Sequence, residues 1–145
     1  MNPLLNVLMR AAGAAAVALY RRSGGRIGGT AGGGVPVLLL TVAGRRTGRP
    51  HTHPVGWFEH EGGWLVVGSG GGMPEEPQWF RNLRKASTAS VELGRERHEV
   101  AVRILSGAER DRLWRDIVVA QRPNFARYEQ KTTRTMPIAH LTPTG

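Results

Sequence analysis

The sequence predicts a mainly β fold with flanking helices, built as a small barrel of six mostly antiparallel strands. Three observations carry that prediction. Six short apolar or alternating segments are separated by glycine-rich or charged turns. The spacings between neighbouring segments are mostly too short for a crossover helix, so adjacent strands run antiparallel. No repeating strand–helix–strand pattern appears, which argues against a doubly wound sheet.

The first element is a helix. Met1 to Tyr20 reads MNPLLNVLMRAAGAAAVALY, with Leu4, Leu8, Ala11 or Ala12, and Ala15 at helical spacing. The apolar run Ala11 to Tyr20 is too short for a bilayer, which needs about 20 residues. Arg21 and Arg22 follow the run, whereas a signal peptide begins with its basic residues. The apolar face suits the core, a partner subunit or the surface of a membrane, with packing against protein the default. Ser23 to Gly34, SGGRIGGTAGGG, is a flexible connection too rich in glycine for regular structure. Residues 1–34 thus form a helix and linker ahead of a barrel domain at 35–145.

Val37 to Val42 is a buried strand and Thr52 to Glu59 a second, with Glu61 to Gly63 as a turn and Trp64 to Ser69 as a third strand. Gly70 to Met73 is a loop. PEEPQWFRNLRKA, from Pro74, reads as a helix with prolines near its start, glutamates in its first turn and basic residues in its last. Ala89 to Leu93 and His98 to Leu105 form a hairpin around GRE, with His98, Val100, Val102 and Ile104 on one face. Ser106 and Glu109 match a capping box for a helix reaching Gln121. Asn124 is placed to cap a short helix through Tyr128 to Lys131, and Met136 to Leu141 is the last strand.

A chain of 145 residues suits one domain with its own core. Its net charge of +9 is carried almost wholly by arginine, since Lys85 and Lys131 are the sole lysines. A GC-rich genome accounts for much of that total, but not for Arg45, Arg46 and Arg49 on one turn. Guanidinium groups make forked, charge-assisted bonds to phosphate and carboxylate, and Gly44 and Gly48 let backbone amides approach. The turn GRRTGRP is therefore either a solvated hairpin tip or an anion clamp. It lacks the spacing of a P-loop.

Other chemistries are excluded or weakened. There is no cysteine, hence no disulfide and no thiolate; this fits a cytoplasmic protein. His51 and His53 share a strand face, yet no third ligand stands near them, so no metal is expected. Ser69 lacks the G-x-S-x-G context of a nucleophile. Aromatic residues are not interleaved with the basic turn, which argues against nucleic acid. A catalyst with these residues borrows a cofactor for the difficult step.

Three stretches, LLLTVAGRRTGRPHTHPV, VVGSGGGMPEEPQWFRNL and YEQKTTRTMPIAHL, resemble the deazaflavin-dependent nitroreductase family. The likeness runs from Val35 to Leu141. It implies a split β-barrel oxidoreductase that passes a hydride from reduced coenzyme F420 to a hydrophobic quinone, activated alkene or nitroaromatic. By the same likeness Arg45, Arg46, Gly48, Arg49 and His51 bind the coenzyme's anionic tail. Thr52, Pro54 and Val55 contact it through backbone, and Gly68, Ser69, Gly71 and Gly72 border the ring. Trp79 and Asn82 position the covering loop. Phe125 and Tyr128 line the substrate pocket, with Tyr128 a source of the proton. Phe125 stands where some members carry a tyrosine, and a phenyl ring donates no proton. A carrier or sensor of the same coenzyme, and a barrel binding flavin mononucleotide or haem, are the alternatives. Barrel edges and the family leave room for a homodimer, and the N-terminal helix for peripheral membrane contact.

Overall fold

The computed structural model describes residues 3–31 and 34–145, and the backbone alone for residues 5–10. The side chain of the expected apolar position Leu8 and the glycines at 32 and 33 fall outside what is described. Six strands close into one barrel in the order β1-β2-β3-β6-β5-β4. These are β1 (Val37–Ala43), β2 (Pro50–His60), β3 (Gly63–Val67), β4 (Thr88–Leu93), β5 (Glu96–Ile104) and β6 (Ile138–Pro143). Every pairing is antiparallel. The expected six-stranded barrel with flanking helices is what forms.

Side chains on alternate positions fill the interior. Leu38, Leu40 and Val42 of β1 meet Val55, Val66, Val91, Val100, Ala139 and Leu141 from the other five strands. Helix α2 (Gln78–Arg84) closes one part of this core with Phe80 and Leu83, both fully buried. The outer face is covered as well. Leu65 and Val67 of β3 and Ile138 of β6 pack beneath Leu113, Trp114, Val118 and Phe125. Those residues belong to helix α3 (Gly107–Leu113), a π-helical continuation at Trp114–Val119, and helix α4 (Asn124–Lys131).

Helix α1 (Pro3–Ser23) explains why β1 is apolar on both faces. Its Tyr20 covers the outward Val37 and Leu39. The Tyr20 hydroxyl donates to the Val37 carbonyl at 3.0 Å and accepts from the Gly94 N–H at 3.1 Å. Arg21 forks onto the Glu92 carboxylate at 3.0 and 2.9 Å. Among the described residues no helix is long and apolar enough to cross a membrane.

Several boundaries differ from expectation. Strand β2 starts earlier, at Pro50, and β6 sits later than Met136. The β4–β5 turn is the pair Gly94–Arg95, so Glu96 already belongs to a strand. The β2–β3 turn is Glu61–Gly62, both left-handed at φ 47° and 75°, as a tight hairpin requires. Helix α2 does not begin at Pro74, since Pro77 is extended at ψ 148° and each proline disfavours helix in the residue before it. Glu76 instead pairs with Arg84 at 2.8 Å. The capping box is not made: Ser106 forms no side-chain cap bond, and Glu109 turns to Arg103 across the start of α3 at 2.6 Å. Asn124 is the first residue of α4, with Pro123 at the cap position and no side-chain cap bond.

Candidate active site

The arginine turn joins β1 to β2. Its backbone closes through Gly44 N–H to Arg49 carbonyl and Gly48 N–H to Gly44 carbonyl, both at 2.8 Å, with Gly48 left-handed at φ 75°. Helix α2 lies against it. Asn82 Oδ1 accepts from both the backbone N–H and Nη1 of Arg45, at 3.1 and 2.7 Å. Gln78 Oε1 accepts from Arg45 Nη2 at 2.7 Å. Arg45 is therefore a half-buried tie between turn and helix. Arg46 and Arg49 stand exposed.

Between turn and helix opens a cleft of about 650 Å³, lined by Gly44, Arg45, Arg46, Thr47, His51, His53, Gln78 and Asn82. His51 and His53 pair across from Val42 and Leu40, the interior face of β1, so both imidazoles sit on the side of β2 that buries Val55 further in. The lining holds guanidinium, imidazole, hydroxyl and amide groups and no carboxylate. Partial burial, and then the nearby His51, hold the His53 imidazole below its ordinary value. Both histidines are nonetheless open to solvent on this face.

A second recess of about 250 Å³ lies on the other face of β2, lined by Ala31, Val35, Gly56, Ser69, Asn124, Phe125 and Tyr128. Phe125 forms its floor, edge-on to Phe58 at 5.5 Å and to Tyr128 at 5.2 Å. Ser69 enters from the turn Gly70–Gly72, where all three glycines are left-handed. Its floor is aromatic, and Ser69 and Asn124 add polar groups to the lining.

The residues singled out from the sequence divide between these places. Arg45, Arg46, His51 and Asn82 meet in the cleft; Ser69, Phe125 and Tyr128 meet in the recess. Arg49 and Gly48 lie on the turn without lining the cleft. Thr52 shares a 2.8 Å hydrogen bond with Thr41, Pro54 is exposed and Val55 is core. Trp79 packs edge-on against Phe80 at 5.4 Å. Gly68 is pressed against Phe80 and Pro137, and Gly72 against Lys131 and Tyr128; Gly71 has open space beside it. Sequence reasoning missed Thr47 and Gln78 in the cleft, and Ala31, Val35, Gly56 and Asn124 in the recess, as lining residues. Gln78 stands one turn of helix from Asn82, a spacing that signals a shared face. Among the described residues no group of His, Asp and Glu is placed to hold a metal.

A closed six-stranded barrel thus carries a cationic cleft beside its arginine turn and a partly apolar recess on the other face of β2. The chain belongs to the F420H2-dependent quinone reductase family, whose sequence model matches residues 13–143. It is 31% identical over 127 residues to an F420H2-dependent quinone reductase of Mycobacterium tuberculosis, covering 86% of this chain and 85% of that protein. A solved F420-H2-dependent reductase superposes with a TM-score of 0.65 at 32% identity, covering 73% of this chain and 93% of that one. Another solved chain, a domain-swapped dimer, gives the same TM-score of 0.65 at 32% identity, over 73% of this chain and 79% of that one.

Proposed function

We propose that this reductase binds reduced F420 with its anionic tail in the arginine cleft and passes a hydride to a quinone-like hydrophobic acceptor seated at the Phe125–Tyr128 recess. One observation carries the reading: the cleft combines Arg46, Thr47, His51 and His53 with a turn tied down by Arg45, and offers no carboxylate to oppose an anion. That donor set fits a phosphate- and carboxylate-bearing tail. When bound, the reduced deazaflavin supplies the hydride.

The chain's own residues do the rest. Arg45 fixes the turn, so that Arg46 and Arg49 meet an anion without a large ordering cost. His51 and His53 add further solvent-open donors along β2. Ser69 and the glycine turn give the recess a polar rim, while Phe125 and Tyr128 exclude water from its floor. Reduction of a quinone takes one hydride and one further proton. Tyr128 carries the hydroxyl of the recess floor and delivers that proton, or relays it from water. Activated alkenes and nitroaromatics, which are also electrophilic hydride acceptors, are the other acceptors this recess is proposed to take. The domain-swapped relative supports assembly of this chain as a homodimer, which light scattering checks.

Steady-state oxidation of reduced F420 with menadione, an enoate and a nitroaromatic tests the reading. Turnover with the quinone is expected. Binding of F420 without turnover on any acceptor makes the protein a carrier, and tight binding of flavin mononucleotide with none of the deazaflavin overturns the assignment.

A further inference from the structure

Glycine at 70, 71 and 72, with φ of 55°, 67° and 85°, leaves the segment that carries Ser69 little conformational preference of its own. Its internal bonds are few: Gly72 N–H to Ser69 carbonyl at 2.9 Å and Met73 N–H to Gly70 carbonyl at 3.3 Å. Its shape is set from outside. Arg134, on the link between α4 and β6, donates from Nε to the Met73 carbonyl at 3.0 Å, from Nη1 to Gly68 at 3.1 Å, and from Nη2 to Ser69 at 2.8 Å. Three carbonyls flanking the glycines converge on one planar guanidinium. The loop is also pressed on α4, since a Cβ on Gly72 would lie 3.3 Å from the Tyr128 Cα.

We infer that Arg134 is the positioning residue for this wall of the recess: its guanidinium holds Gly68–Met73 in the shape that presents Ser69 opposite Phe125 and Tyr128. The inference deepens the functional reading above and rests on it for its consequence in catalysis. Its structural half stands on the ligand-free protein. Arginine is required because a lysine ammonium is a single point and cannot donate along three fixed, coplanar directions.

The test is Arg134→Lys. Amide hydrogen exchange on the ligand-free protein is the first measurement. Exchange across residues 69–74 is expected to speed by about tenfold or more, with β1 and β6 unchanged. With menadione as acceptor, kcat is expected to fall by about tenfold, because a small misplacement of a reacting ring is costly. The coenzyme's KM should move by less than about threefold, since the tail site is elsewhere. Unchanged exchange in the loop overturns the proposal whatever the activity. Faster exchange with unchanged kcat also overturns it, leaving Arg134 a staple with no bearing on the site. A wild-type protein that never oxidises reduced F420 sinks the functional reading alone, and the exchange result then decides the hold of Arg134 on the loop. If Arg134→Lys does not fold, Arg134→Ala with added guanidinium ion replaces it: loop protection recovered by guanidinium chloride, and not by sodium chloride of equal strength, supports the proposal, and equal effects of the two salts oppose it.

Discussion

Asn82 holds Arg45 twice: one side-chain oxygen accepts from both its backbone N–H and its guanidinium, at 3.1 and 2.7 Å. A turn crowded with like charge is thereby fastened to a buried helix position. Asn82→Ala removes both acceptors at once. It should lower stability by about 1–3 kcal/mol, the cost of leaving such donors unmatched, and weaken F420 binding without changing how that binding responds to salt. Thermal melts and fluorescence titrations in two salt concentrations check both parts. Wild-type stability would mean that water replaces the amide at no cost.

Arg46 and Arg49 should behave in the opposite way. Both are exposed, and their removal leaves the turn's backbone bonds in place. The double change Arg46→Ala, Arg49→Ala should leave the melting temperature within a few degrees and weaken F420 binding by about 2 kcal/mol, roughly thirtyfold. The salt dependence should flatten, because screened charges have been removed. Full affinity in the double variant would return the turn to a solvated tip.

The cleft histidines predict a pH response of two signs. His53 is held below its ordinary value of 6.5 by partial burial and by His51. The folded protein therefore binds this proton less readily than the unfolded chain does. Stability is complete above the unfolded value and falls as the pH drops through about 6.5 toward the lower folded value. An anion in the cleft reverses the preference, because it favours the charged imidazole. F420 affinity should therefore rise between pH 8 and pH 6 while the ligand-free protein loses stability. His53→Gln should remove most of both trends; persistence of both in that variant would assign them elsewhere.

Much of the barrel was legible because each strand announces its own burial. The continuous run at Leu38–Leu40 required cover on both faces, and Tyr20 supplies the outer one. The arginine turn was legible from its charge. What was not legible depends on partners outside each local pattern. Glu109 matches a capping box locally and loses it to Arg103. Gln78 becomes a lining residue because α2 folds over the turn. Arg134 finds its three carbonyls more than sixty residues away, where no local pattern reports them.

Gly68 separates packing from function. The family likeness places it beside the coenzyme ring, yet a Cβ there would lie 2.8 Å from the Phe80 ring and 2.9 Å from Pro137. Neither neighbour is a flexible end, so something rigid must shift. Gly68→Ala should cost about 1–3 kcal/mol, the range for overpacking, and lower the melting temperature before it alters turnover per folded molecule. Wild-type stability with lost activity would place the ring, rather than Phe80, against this glycine.

The proton is the last question, and Tyr128 frames it. Its ring lies 5.2 Å from that of Phe125 and 5.7 Å from the Lys131 ammonium, and its neighbour Phe125 has no hydroxyl to share the task. Tyr128→Phe keeps the ring contacts and removes the O–H alone. If that hydroxyl delivers the proton, kcat for menadione should fall about a hundredfold while F420 affinity holds. Phe125→Tyr in the same background then returns a hydroxyl to the recess floor and should recover part of the loss. A Tyr128→Phe enzyme with full kcat would instead show that water protonates the reduced acceptor, and that the aromatic pair serves to shape the recess.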